Sequence, residues 1–236
     1  MPSWSWATSA LAAGVLIVAG CGEQPPDRIS AVATAAGETS LGPLVPAIPA
    51  VARPGPVRAP HIRWRASRAI GRPFRGRLKG GVRLPAGHPD FFTWDGPLNR
   101  FPNRPWRRYG TKRLIRTILW IAARYRAEHP GSARLGVGDL SRPRGGFFGA
   151  RYGGLGHASH QNGLDVDVYY PRRDGRERPP RVVGDVDRRL AQTLVDLCVQ
   201  ANATFCFVGQ HVGLKGPKRV VRAIPHHDDH VHVRIP

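Results

Sequence analysis

Ten histidines occur in this 236-residue chain, and six of them fall in two short stretches. The first runs Gly156-His157-Ala158-Ser159-His160-Gln161-Asn162-Gly163-Leu164-Asp165-Val166-Asp167, and the second runs His226-His227-Asp228-Asp229-His230-Val231-His232. Imidazole nitrogens and carboxylate oxygens are the usual ligands of a catalytic zinc ion, which takes three protein ligands and leaves a fourth position open for water. Such ligands must converge from rigid elements. Residues two apart on a strand share a face. A strand over 231–235 would therefore point His230 and His232 the same way. One over 164–170 would align Asp165 with Asp167 and turn Leu164, Val166 and Val168 to the core. The Asn162-Gly163 turn signal brings His160 back beside Asp167. The pattern predicts a pocket of carboxylates and imidazoles above an apolar floor. One His-x-His pair alone is weak evidence, and a histidine-rich tail binds metal adventitiously. The joint occurrence of both stretches is the stronger signal.

The elements that must hold these residues are legible in the surrounding pattern. Leu114, Ile115, Ile118, Leu119, Ala122 and Tyr125 recur at three- and four-residue steps, predicting an amphipathic helix over 111–129 stopped by Pro130-Gly131. A second helix is predicted over 187–201, with Leu190, Leu194, Leu197 and Cys198 as its apolar stripe and Asp185 or Asp187 as its cap. Short apolar segments at 134–137, 164–170, 204–208, 220–223 and 231–235 supply strands. Helices and strands mixed at these lengths predict an α+β fold, an antiparallel sheet flanked by helices with the site in a cleft on the sheet. Cys198 and Cys206 fall on the second helix and the following strand, where a disulfide and two buried thiols are both open.

Several further stretches narrow the reading. Gly138-Asp139-Leu140-Ser141, Pro143-Arg144-Gly145-Gly146, Gly156-His157-Ala158-Ser159-His160-Gln161, Gly163-Leu164-Asp165-Val166-Asp167 and His230-Val231-His232-Val233-Arg234 resemble the penicillin-insensitive murein endopeptidases. The spacing of His160, Asp167 and the His230-Val231-His232 triplet resembles the wider group of lysostaphin-type enzymes, D-Ala-D-Ala metallopeptidases and the hedgehog N-domain. The resemblance implies that His160, Asp167 and His232 ligate Zn2+, with His230 as base or oxyanion stabiliser. His227 would be a further active-site histidine and His157 a candidate ligand for a second metal. It implies hydrolysis of the amide joining D-Ala to diaminopimelate in peptidoglycan; a D-Ala-D-Ala carboxypeptidase on the same fold is the alternative. Asp165 is close enough in sequence to orient a ligand. Stem peptides carry free carboxylates, for which Arg142, Arg144 and Arg234 are candidate clamps. The glycine-rich stretch 145–156 is a candidate rim of the cleft.

The N-terminus reads as export machinery. Residues 1–20 carry no charged side chain, and Leu11 to Gly20 is an apolar and small-residue run too short to span a bilayer. The run ends Val18-Ala19-Gly20-Cys21, which resembles the bacterial lipoprotein processing site and implies a lipid anchor on Cys21. A plain export signal cut elsewhere is the alternative. Residues 21–60 are rich in Pro, Ala and Gly and predict a disordered linker, leaving 61–236 as the catalytic domain. This organisation places the domain on the outer face of the cytoplasmic membrane or in the periplasm.

The chain carries 36 Lys+Arg against 16 Asp+Glu, a formal net charge of +20. Such a surplus attracts polyanions, whether nucleic acid, anionic lipid or cell-wall polymer. Aromatic residues interleave with the cations between His61 and Arg116, a composition shared by single-stranded nucleic-acid binders, but the export signal argues against nucleic acid. A non-catalytic wall-binding or metal-sensing lipoprotein is the remaining competitor.

Overall fold

The structure is a computed structural model that describes residues 60–149 and 158–236. Strands β1 (Arg68–Arg72) and β2 (Arg75–Lys79) form a hairpin, and β3 (Val82–Arg83) pairs with β5 (Tyr109–Gly110). The main sheet has six strands: β4 (Phe91–Thr93), β6 (Leu135–Val137), β7 (Asp165–Tyr169), β8 (Phe205–Gly209), β9 (Val221–Ile224) and β10 (His230–Arg234), in the spatial order β4-β6-β7-β10-β8-β9. The two helices are α1 (Lys112–Glu128) and α2 (Arg188–Gln200). No helix among the described residues is long and apolar enough to cross a membrane.

Both helices form where the sequence pattern places them. Thr111 caps α1, its side chain accepting a hydrogen bond from the Leu114 amide, and Asp187 caps α2 by accepting from the Leu190 amide. Such caps satisfy an otherwise orphaned amide and contribute about 1 kcal/mol each. Leu114, Ile115, Ile118, Ile121, Ala122 and Tyr125 of α1 are buried in one cluster with Leu190, Leu194 and Leu197 of α2. Val166, Val168, Val231 and Val233 complete that cluster from the sheet. Both helices thus cover one face of the two central strands, and the alternate residues of β7 and β10 face away from the core.

The fold is α+β, but the sheet is mixed rather than wholly antiparallel. The three central pairings are antiparallel, whereas β4 runs parallel to β6 and β8 parallel to β9. Parallel neighbours need a crossover in place of a tight turn. Helix α1 supplies the first, between β4 and β6, and the loop 210–220 supplies the second. Cys198 and Cys206 are free thiols, both fully buried.

Candidate active site

Strands β7 and β10 bring the two sequence stretches together. Asp167 lies directly opposite His232, Asp165 opposite Arg234, and Tyr169 opposite His230. Cross-strand partners share a face, so these six side chains project from the face opposite the helices. His160 arrives from the segment before β7 with its backbone in the left-handed region, φ 63°. That conformation is costly for a residue with a Cβ, about 1–3 kcal/mol, and persists where surrounding contacts over-determine it. The contacts are present. The His160 amide donates to Asp165 Oδ2 at 3.0 Å, and the Gln161 amide donates to the Pro73 carbonyl at 2.8 Å. The Asn162 side chain donates to the Gly71 carbonyl at 3.2 Å. Gly145 presses on the same segment so closely that a Cβ there would lie 2.1 Å from the Gln161 carbonyl oxygen.

Three potential ligand atoms converge as a result. His160 Nε2 lies 3.2 Å from Asp167 Oδ1 and 3.2 Å from His232 Nδ1, and His232 Nδ1 lies 3.1 Å from Asp167 Oδ1. A tetrahedral zinc ion with bonds of about 2.0–2.1 Å sets its ligand atoms about 3.3 Å apart. The near-equilateral triangle has that dimension, and its donors are two imidazoles and a carboxylate. All three residues are buried, and they form the one such group of metal-ligating side chains among the described residues. The residues present therefore fit a divalent metal ion.

The triangle is held from behind. Asp165, fully buried, accepts from His232 Nε2 at 3.2 Å and from Arg234 Nε at 2.6 Å. This bond turns Nε2 of His232 to Asp165 and Nδ1 to His160 and Asp167, the orientation that outer-shell carboxylates give metal-binding histidines. Burial alone would raise the Asp165 pKa, but the His232 hydrogen bond and the charges of His160 and Arg234 hold it well below the carboxylate range. Asp167 is likewise depressed, with burial outweighed by His160 and His230. On its outer edge the Asp167 backbone is fixed by Gly138 and Asp139, which exchange hydrogen bonds with it at 2.8 and 3.0 Å. Phe148 packs its ring edge-on to His160, with centroids 6.5 Å apart.

His230 stands beside the triangle without belonging to it. Its Nε2 is 3.7 Å from Asp167 Oδ1, and its Nδ1 donates to Asp229 Oδ1 at 2.6 Å. Burial disfavours its charged form, but Asp167 and Asp229 outweigh this and hold its pKa above the ordinary imidazole value. His227 behaves oppositely. Burial lowers its pKa, and its Nδ1 donates to the Pro225 carbonyl at 2.6 Å, leaving Nε2 as an acceptor. The two rings lie 4.8 Å apart. They line a cleft of about 500 Å³ whose floor is Asp167, His230 and His232 and whose walls include Tyr169, Phe207 and His227.

His157 lies outside the described residues, as does Cys21. The three candidate clamp arginines do not line this cleft. Arg234 is held by Asp165, Arg142 donates to the Phe147 carbonyl, and Arg144 lines a separate groove. The cation of the cleft is Arg107, buried and paired with Asp139. Neither that pair nor Asp229 was expected from the sequence. Arg107 and Asp139 lie far apart in the chain, and Asp229, preceding β10, carries no spacing signal of its own. Of the expected rim, Gly145 is buried against β2 and residues 150–157 lie outside the described set.

A mixed sheet with helices on one face and a two-histidine, one-aspartate triangle on the other defines an α+β protein with a candidate metal site. The profile of the penicillin-insensitive murein endopeptidase family matches residues 69–203. That is more than half of the chain, and the chain belongs to this family. The matched span carries His160 and Asp167; His227, His230 and His232 lie beyond its end. Compared with curated proteins, the chain has no match.

Proposed function

We propose that the protein is a zinc-dependent endopeptidase that hydrolyses D-alanyl–diaminopimelate cross-link amides in peptidoglycan. The reading is carried by one observation: three buried ligand atoms at 3.1–3.2 Å from one another, with a carboxylate-backed histidine beside them in an open cleft. Family membership supplies the substrate class.

His160, Asp167 and His232 would hold the zinc ion. When bound, zinc polarises the scissile carbonyl and lowers the pKa of a water from 15.7 towards about 7. His230 takes the proton of the attacking water on Nε2, and Asp229 stabilises the imidazolium that forms. The same Nε2–H then delivers the proton to the departing amine. While protonated, His230 also faces the negative charge of the tetrahedral adduct and favours it electrostatically. His227, neutral and accepting at Nε2, orients a donor N–H of the substrate. Phe207 and Tyr169 give the cleft apolar walls that exclude water from these contacts.

The same reading places the domain outside the cytoplasmic membrane on a lipid tether at Cys21. Metabolic labelling with a radiolabelled fatty acid, lost in Cys21→Ser, tests the tether. The activity is tested on purified cross-linked muropeptide dimers, with the protein zinc-loaded or chelated and products read by mass spectrometry. Zinc-dependent conversion of dimers to monomers is expected. Loss of a single terminal D-Ala would instead identify a carboxypeptidase, and zinc binding without any product would identify a wall-binding protein.

A further inference from the structure

Arg68, Arg72, Arg75, Arg77 and Lys79 stand together on one face of the β1–β2 hairpin. The register pairs Arg68 with Lys79, Ile70 with Arg77 and Arg72 with Arg75, and paired residues share a face. All five cations are exposed, and Ile70 lies exposed among them. The opposite face turns inward, with Leu78 buried. Like charges set directly across a strand pair act against the hairpin, so this face costs stability in the free protein. Among the described residues none of the five makes an ion pair. By contrast Arg104, Arg107, Arg134, Arg172 and Arg234 are each paired with a carboxylate. The imbalance begins in the sequence, where residues 61–89 contain eight Arg and Lys and no Asp or Glu.

Residues of the row also line two grooves. One of about 530 Å³ is lined by Arg77 and Lys79 together with Arg65 and Arg144. The other, of about 720 Å³, is lined by Arg68 together with Lys112, Arg113 and Arg116. Arg68, which lines one groove, and Lys79, which lines the other, are register partners. Successive cations along β2 repeat about every 6.7 Å, twice the strand rise. A linear repeat of positive charge complements a linear repeat of negative charge rather than one compact anion. Arginine forks match phosphate and carboxylate alike. Nucleic acid is the less suited polymer, because its single-stranded form needs open aromatic faces for stacking. The exposed rings here, Trp64 and Phe74, each already carry an arginine, Arg116 at 5.6 Å and Arg72 at 5.9 Å. The hairpin is also fastened to the candidate site, since the carbonyls of Pro73 in its turn and Gly71 in β1 accept the hydrogen bonds from Gln161 and Asn162 that pin the segment bearing His160.

We propose that this face and its grooves bind a linear polyanion of the cell wall, a strand bearing phosphodiester or carboxylate groups at regular intervals. The source of the polymer rests on the peptidase reading; the binding chemistry rests on the cation row alone. The test uses the full chain and two soluble probes, a poly(glycerol phosphate) and a polygalacturonate, with oligo(dT) as the competing class. The triple variant Arg72→Gln, Arg75→Gln, Arg77→Gln should lose about tenfold or more in affinity for the preferred polymer at low salt, and its log–log salt slope should fall by about 2. The matching triple Lys variant should bind within about threefold of the parent, because counterion release follows charge. Both variants should turn over soluble muropeptide dimers at the parent rate. Comparison of the two probes tells phosphodiester from carboxylate. Unchanged affinity in the Gln variant overturns the proposal, and so does equal loss in the Lys variant. Tighter binding of oligo(dT) than of either polymer overturns it in favour of nucleic acid. Failure of the parent to cleave dimers, with this binding pattern intact, overturns the peptidase reading and leaves the surface standing.

Discussion

His232 and Asp167 face each other across the two central strands, with Nδ1 and Oδ1 3.1 Å apart. Because they are paired in register, their separation is set by the sheet and not by a loop. His160 alone comes from irregular chain, and its position is fixed by the hydrogen bonds of its neighbours to the β1–β2 hairpin.

Removing His230 should separate catalysis from metal binding. His230→Ala should lower kcat by about 10²–10⁴, the usual contribution of a positioned acid–base group, while zinc content by elemental analysis stays at the parent value. A parallel loss of zinc would make His230 a ligand and contradict the assignment.

Asp165→Asn should weaken zinc binding without emptying the site. The carboxylate orients the His232 ring, and loss of such a partner costs about 10–100-fold in metal affinity. Competition against a chromophoric chelator measures this directly. Arg234, which also bonds to Asp165, makes thermal stability the second readout. A change in the melting midpoint with unaltered zinc affinity would assign Asp165 a purely structural role.

The metal-free protein should be most stable in mildly acidic solution. Burial opposes the charge on His232, but hydrogen bonds to Asp165 and Asp167 outweigh it and push its pKa up to about 9. That lies above the ordinary imidazole value of about 6.5, so the stabilisation is complete below about pH 6.5 and is lost as pH rises through about 9. Asp165 and Asp167 are depressed instead, so their contribution is present above about pH 3.9 and is lost as pH falls below it. The apo-protein melting midpoint should peak between these limits. Zinc must displace the His232 proton, so its apparent affinity should climb over the same alkaline window, with proton release visible by calorimetry in buffers of different ionisation heat. A midpoint that rises between about pH 7 and pH 9 would contradict the linkage.

The two buried thiols should be inert in the native state. The Cys198 thiol hydrogen-bonds to Cys206 and is buried, and both effects raise its pKa well above the ordinary thiol value. Thiolate is the reactive form. In a Cys21→Ser chain a thiol reagent should therefore label nothing until denaturant is added, and then label both cysteines. Rapid labelling in native buffer would show that the α2–β8 contact opens readily.

Much of this was readable in advance, and the unreadable part has physical causes. Alternation of Asp165, Val166, Asp167 and Val168 against His230, Val231, His232 and Val233 shows one buried and one functional face on each strand, which is how β7 and β10 are built. Helix ends were legible through the Pro130-Gly131 stop after α1 and, for the start of α2, through Asp185 or Asp187, of which Asp187 is the cap. The parallel pairing of β4 with β6 and β8 with β9 was not, because short strands carry no mark of their neighbour's direction. The β1–β2 hairpin was hidden for a different reason: its outer face is cationic where strands usually show β-branched or aromatic residues. Asp229 escaped notice because its role comes from the bend before β10, a property of the folded chain.

The register of β7 and β10 carries one more consequence. Side-chain direction on a strand has parity, odd or even, and a slip by one residue inverts it for the whole strand. Such a slip of β10 would turn Val231 and Val233 into the cleft and drive His230 and His232 into the helix-covered interior. A metal ion held by His160, Asp167 and His232 would therefore require the aligned register, so metal occupancy would report on correct pairing of the two central strands.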